Sequence, residues 1–369
     1  MIDQPLSWFR PEINNMQGYQ PGEWPDLNAN ILKLNSNENP YPPSPQVLAA
    51  LSEVSAELLR RYPDPKATDF CQVVGKTFGI PADWVIAGNG SDDLLTMLVR
   101  ACAGSATTRS TAEKERMLAY PMPTYILYRT LAAIQPAKTV EIAYEMQGDN
   151  WSLPVEQLIA AQAALTLVAT PNSPTGHCVP MADLRSLAAG LNGVLVIDEA
   201  YIDFAGEEAE QASLALVKAF ENVIVLRTLS KGYGLAGLRL GFGIAQPPLL
   251  AGLQKVKDSY NVDAIALRLG AAAIADQPYK RAITQKVMAA RQQLATDLQG
   301  LNFRVWPSFA NFLLVQPPDG KAKLLCEKLK ENQIMIRYFN QPGLDDKLRI
   351  TVGTPAQNER MLLAIQAWL

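Results

Sequence analysis

The sequence predicts an α/β protein: a large domain on a mostly parallel sheet flanked by helices, plus a smaller α+β domain. Two patterns carry that expectation. Between residues 84 and 245, short apolar runs at 85–87, 117–119, 165–169, 194–197, 223–226 and 240–244 alternate with helical periodicity. Parallel strands need a long crossover between them, and a β/α rhythm supplies it. A run such as VLVI at 194–197 is apolar on both faces, as a strand covered by helices on both sides must be. After Asn261 the rhythm changes. A long helical stretch through LRLGAAAI (267–274) and 279–301 precedes strand candidates at 303–306, 312–315, 334–336 and 348–352. TPAQ at 354–357 then opens a last helix, with a hydroxyl N-cap, proline at the first helical position and glutamine three residues after the cap. The boundaries expected are 1–45, 46–260 and 261–369.

Composition narrows the function. The chain has 369 residues, 48% of them hydrophobic and 19% charged, enough to bury the cores of two domains. A net charge of −3 makes no electrostatic case for nucleic acid or for an anionic membrane. No apolar run approaches the roughly 18–20 residues of a membrane span. The opening MIDQPLSW lacks the basic and apolar regions of a signal peptide. Cys71, Cys102, Cys178 and Cys326 are scattered, which reads as free thiols in a cytoplasmic protein. His177 is the single histidine, so no histidine-pair metal motif exists, no metal is expected, and a Ser-His-acid hydrolase could use only that residue. His177 reads as a loop residue. Proton transfer then falls to lysine, tyrosine or carboxylates.

Four motifs carry chemistry. The run TLSKGYGLAGLR (228–239) places Lys231 between a hydroxyl and small, turn-prone residues, directly after an apolar strand. An amine there can form a Schiff base with an aldehyde, and Ser230 and Arg239 can hold a phosphate. Alone, the run would also suit a basic surface loop. VLVIDEAY (194–201) ends a buried strand in Asp198, with Tyr201 three residues on. A buried acid is costly unless it meets a cation or a donor, and a protonated pyridine nitrogen is one such cation. TPNSPTG (170–176) is turn chemistry at another strand end. AGNGSD (87–92) opens a helix at Ser91 and Asp92, whose free N–H groups suit a phosphate.

In this order, the four motifs resemble those of the fold-type I pyridoxal-phosphate enzymes, in the aminotransferase class I/II group. Within it, LNSNENP (34–40), RYP (61–63), PMPTY (121–125), IRYF (336–339) and LRITVGT (348–354) are similar to the histidinol-phosphate aminotransferase family, from about residue 19 onward. The resemblance implies a fold-type I architecture and pyridoxal 5′-phosphate as cofactor. It makes Lys231 the Schiff-base lysine and proton shuttle, and Asp198 the partner of the pyridine nitrogen. Tyr201 and Asn172 become donors to the ring's O3′, and Tyr125 the aromatic stacked on the ring. Ser91, Asp92, Ser230 and Arg239 form the phosphate pocket. Tyr62 reaches the phosphate of a neighbouring subunit, implying a homodimer with shared sites. Arg349 and Arg337 are anion clamps for substrate, with Tyr19 and Asn37 near it. Residues 1–45 are expected to form an arm and part of the small domain.

The resemblance implies transfer of the amino group of L-histidinol phosphate to 2-oxoglutarate, giving imidazole acetol phosphate and glutamate, in histidine biosynthesis. An aromatic amino-acid aminotransferase shares almost every motif, and a threonine-phosphate decarboxylase-like lyase pairs the same fold with a phosphorylated substrate. A ligand-sensing module fused to a DNA-binding domain is disfavoured by the roughly 30 residues preceding Asn35. One departure is the polar segment at 105–116, read as a solvated insertion.

Overall fold

The computed structural model describes residues 8–16, 18, 30–104 and 116–368. Tyr19 and nearly all of the polar insertion at 105–116 lie outside the described residues. Among the described residues the central sheet has seven strands: β1 (Val85–Gly88), β2 (Leu118–Met122), β3 (Thr139–Ala143), β4 (Leu165–Ala169), β5 (Val194–Asp198), β6 (Val223–Thr228) and β7 (Gly241–Ala245). Their spatial order is β1-β7-β6-β5-β4-β2-β3. Only β7 runs antiparallel to its neighbours. The reason is local: the chain returns from β6 to β7 through the Lys231 loop, with no crossover helix longer than the short turn Ala236–Leu238.

The helices that matter for the site and its frame are α1 (Pro45–Ser52), α2 (Thr68–Phe78), α3 (Ser91–Cys102), α4 (Leu127–Ile134), α5 (Ala264–Ala275), α6 (Gln277–Gly300), α7 (Ala322–Glu331) and α8 (Pro355–Trp368). Successive strand residues point to opposite faces, so each buried strand feeds two cores. Leu195, Ile197, Val223 and Val225 face a cluster with Phe70, Val74 and Leu269. Val196, Ile224 and Leu226 face another with Leu94, Leu98 and Tyr128. Strand β3 is the one the apolar-run pattern misses. Its residues alternate between exposed and half-buried at the sheet edge, so it carries no apolar run.

The smaller unit has a four-stranded antiparallel sheet, in order β8 (Arg304–Val305), β9 (Phe312–Gln316), β11 (Leu348–Thr351), β10 (Arg337–Tyr338). Leu32–Lys33 pairs in parallel with Ile334–Met335, and Leu32 and Leu34 join the core of this unit with Val287, Leu313, Leu325 and Ile350. Core membership changes at Asp276 rather than at the expected boundary of 260. Ala266, Leu269, Ala273 and Ile274 of α5 belong to the core of the large sheet, and α5 packs on α1 and α2. Asp276 breaks what the periodicity presents as one long helical stretch: its side chain caps α6 by accepting from Tyr279 N and also accepts from Ser44 Oγ at 2.5 Å. The capping box opening α8 is reciprocal, with Gln357 N donating to Thr354 Oγ1 at 3.3 Å and Thr354 N to Gln357 Oε1 at 2.8 Å.

Candidate active site

A cavity of about 270 Å3 opens at the carboxyl ends of β4, β5 and β6, where open α/β sheets bind ligands. The segment from Asn35 to Glu38 crosses it, and β10 and β11 of the smaller unit bring Arg337 and Arg349 to its far wall. Among the described residues its lining carries four cations (Lys231, Arg239, Arg337, Arg349) and three carboxylates (Glu38, Asp92, Asp198).

Lys231 stands in the turn after β6. Its Nζ donates to Ser36 O at 3.2 Å and lies 5.8 Å from the centre of the Tyr201 ring. Asn39 Nδ2 holds the turn from across the site, donating to Lys231 O at 2.9 Å. Gly234 has φ +67, and a Cβ there would lie 3.0 Å from Tyr41 O, so the turn needs glycine at that position.

Asp198 ends β5 and is 4% exposed. Its Oδ2 accepts from Tyr128 Oη at 2.7 Å and its Oδ1 from Ala200 N at 3.2 Å. Burial pushes its pKa up to about 6; those two hydrogen bonds pull the other way, and the charge of Asp92 adds to the rise. Neither hydrogen-bond partner is a cation. A buried carboxylate that lines a cavity without a cationic partner is a site for a positive N–H.

The same cavity is lined by an anion cradle. Arg239 donates from Nη1 to Ser230 Oγ at 3.3 Å, and its Nη2 lies 3.5 Å from Asp92 Oδ2. Thr228 Oγ1 donates to Ser230 Oγ at 2.9 Å. Helix α3 starts here at Ser91 with no side-chain cap, leaving first-turn N–H groups for a ligand. Gly90, at φ +78, comes so close to Arg239 that a Cβ would meet Nη2 at 2.6 Å.

On the far wall, Arg337 and Arg349 stand directly opposite each other in the β10–β11 pair. Like charges so placed repel, and an anion between them relieves the repulsion. Arg349 is anchored by Ser173 Oγ at 3.0 Å and Asn35 O at 2.9 Å. The Phe339 ring lies 5.6 Å from each guanidinium carbon. Asn37, held at φ +56, donates from Nδ2 to Tyr201 Oη at 3.0 Å, while Thr351 Oγ1 donates to its Oδ1 at 3.0 Å.

Thus Ser91, Asp92, Tyr125, Asp198, Tyr201, Ser230, Lys231, Arg239, Asn37, Arg337 and Arg349 converge on one cavity. Two expected residues do not line it. Asn172 is fully buried beneath, with both amide hydrogens committed to Pro123 O at 3.0 Å and Thr175 Oγ1 at 2.8 Å. Tyr62 is 81% exposed and stacks on Tyr260 with ring centres 4.5 Å apart. His177 also lies outside the cavity; burial holds its pKa down to about 4, and its Nδ1 is 2.7 Å from Thr175 Oγ1. The sequence reading missed Ser36, Asn39, Ser173, Phe339 and Tyr128. Tyr128 had a visible signal, standing one helical turn after Tyr125.

The chain belongs to the class I and II aminotransferases: that family's model matches residues 29–365. It is 55% identical over 360 residues to histidinol-phosphate aminotransferase 1 of Trichormus variabilis, covering 98% of each chain. The enzyme of the same name from Nostoc sp. is equally similar, at 55% identity with 98% of each chain covered. Among solved structures, histidinol-phosphate aminotransferase from Sinorhizobium meliloti in complex with pyridoxal-5′-phosphate superposes with a TM-score of 0.86 over 99% of each chain, at 24% identity. The likeness of that structure is one of fold. The chain has no helix, among the described residues, long and apolar enough to cross a membrane.

Proposed function

We propose that the protein is a pyridoxal-phosphate-dependent histidinol-phosphate aminotransferase, moving the amino group of L-histidinol phosphate to 2-oxoglutarate. The donor set fits the cofactor at three points: the buried carboxylate of Asp198 for the ring nitrogen, the amine of Lys231 for the aldehyde, and Ser91, Ser230 and Arg239 for the phosphate. Bound there, the cofactor would supply an electron sink for charge left on the substrate carbon.

The chain's own residues do the rest. Lys231 Nζ is the one amine among the described lining residues, and acts as the base that moves a proton off the carbon bearing the substrate's amino group. Asp198 would hold the ring nitrogen in its protonated form, and Tyr201 would donate to the ring hydroxyl. Asn172 joins Tyr201 only by giving up its bond to Pro123 O or Thr175 Oγ1. Tyr125 would cover the ring. Tyr62, exposed on its own subunit, serves the neighbouring site of a homodimer. A cytoplasmic location suits four free cysteines.

The observation that carries the substrate assignment is the cross-strand pair Arg337–Arg349 at the cavity wall. A phosphate monoester carries about −1.5 to −2 charges at neutral pH and rewards two cations, whereas a carboxylate needs one. Close relatives that bear the name histidinol-phosphate aminotransferase over 98% of their length support the same reading. An amino-donor assay tests it. Glutamate should form from 2-oxoglutarate with histidinol phosphate far faster than with phenylalanine or tyrosine. Preference for the aromatic amino acids would establish the aromatic aminotransferase instead, and CO2 release from threonine O-phosphate would establish the lyase.

A further inference from the structure

We propose that Tyr128 is a positioning residue that holds together both protein groups expected to meet the cofactor ring, the carboxylate of Asp198 and the aromatic face of Tyr125. The inference rests on the cofactor reading above, but its structural basis is separate.

Tyr128 lies on α4 and is fully buried, as is its neighbour Tyr120 on β2 at 1% exposure. Three contacts fix it. Its hydroxyl donates to Asp198 Oδ2 at 2.7 Å. Its ring meets Tyr125 edge-on, with centres 5.9 Å apart and planes at 79°. On another side it meets Tyr120 at 5.9 Å and 61°, and the Tyr120 hydroxyl is itself tied to Glu141 Oε1 at 2.7 Å. The ring is thus wedged by two aromatic neighbours, and its one O–H has a single strong acceptor.

The direction of that hydrogen bond follows from chemistry. An ionised carboxylate only accepts, so the tyrosine must donate. Burial, then the adjacent charge of Asp198, push the Tyr128 hydroxyl well above its ordinary pKa, so it remains a donor throughout the working range. Donation favours the charged form of Asp198 and binds one of its oxygens, leaving Oδ1 with only the longer bond from Ala200 N. That oxygen keeps a lone pair for a ring N–H. Asp92, at the start of α3, is the charged group that opposes this by raising the Asp198 pKa. The same tyrosine sets the tilt of Tyr125, three residues earlier, whose backbone carbonyl accepts from Tyr128 N at 3.2 Å. Displacing Tyr128 would therefore loosen ring charge and ring stacking together.

The test uses Tyr128→Phe, which keeps the ring and both aromatic contacts and deletes one O–H. In cofactor-free protein, the carboxyl carbon of Asp198 is followed by 13C NMR against pH, assigned by its disappearance in Asp198→Asn. The Tyr128→Phe titration should move upward by about one to two pH units, as expected for loss of a hydrogen bond to a charged group. In the loaded enzyme, the 15N signal of the ring should shift toward the unprotonated form, and kcat should fall while KM stays within about twofold. An unchanged Asp198 titration in Tyr128→Phe overturns the proposal. Failure of the wild-type protein to bind pyridoxal phosphate would overturn the cofactor reading instead, and with it the positioning role, even with the Asp198 shift observed.

Discussion

At Asp198 two demands compete. Its pKa is about 6 in the folded protein against an ordinary 3.8, so the folded state holds a proton that the unfolded chain releases. The stabilising protonated form is fully present below about pH 4, and its advantage is lost as pH rises from 3.8 through 6. In cofactor-free protein, Asp198→Asn should therefore leave stability nearly unchanged at pH 4 and raise it by about 2–3 kcal/mol at pH 7.5, read as a rise in Tm. A Tm difference that does not grow with pH would mean the buried charge is compensated elsewhere. The loaded variant should pay in kcat, since asparagine cannot hold a pyridinium through charge. At Lys231 the expectation is simpler. Lys231→Ala should still bind the cofactor through its phosphate and lose turnover, and borohydride treatment of loaded wild-type protein should fix label on Lys231. A labelled peptide lacking residue 231 would overturn the assignment.

Strand pairing sets two arginines that are apart in sequence side by side on the cavity wall. Arg337 and Arg349 are twelve residues apart in sequence yet directly opposite in the β10–β11 ladder. The short strand β10 is only Arg337–Tyr338, and both of its residues pair with β11. Arg337→Ala should harm histidinol phosphate about ten- to a hundredfold more than glutamate in kcat/KM, because a charge-assisted contact contributes about 1.5–3 kcal/mol and the phosphate uses both cations. The same change should slightly stabilise the ligand-free protein at low salt, by about 0.2–1 kcal/mol, by removing a like-charge cross-strand pair. Equal losses with both substrates would show that Arg337 does not read the phosphate.

The two units of the chain are joined by α6, which enters the large domain's edge through a buried ionic cluster. Lys280 is 2% exposed, with its Nζ 2.6 Å from Glu210 Oε1 and 3.2 Å from Asp203 Oδ1. Lys280→Ala strands two carboxylates, and should lower stability by about 3–5 kcal/mol at neutral pH, measured by denaturant unfolding. A loss below 1 kcal/mol would show that water reaches the cluster. The proposed homodimer carries a second prediction. A mixture of Lys231→Ala and Tyr62→Ala proteins, each inactive alone, should regain activity in about a quarter of its sites on subunit exchange. That recovery requires Tyr62 to act across the interface. No recovery in mixed dimers would place Tyr62 in its own subunit's site or outside any.

What the sequence determined by itself is short in range. Burial periodicity marks six of the seven strands of the large sheet, and polar residues at their ends mark Asp198 and Lys231. The capping box at Thr354 and Gln357 is written in four consecutive residues and forms as written. Edge strand β3 escaped because half-exposed strands carry no apolar run. The break at Asp276 was written locally, in an aspartate N-cap followed by Pro278, and was passed over because apolar residues continue on both sides of it. Tertiary structure alone decided the partners: Tyr128 reaches Asp198 across 70 residues, and Thr351 reaches Asn37 across 314. It also decided that Asn172 turns its amide to the backbone of Pro123. Propensity, turn chemistry and burial act over a few residues and leave their mark in sequence. A hydrogen-bond partner is selected only when folding brings distant groups to within about 3 Å, and nothing local encodes which group that is.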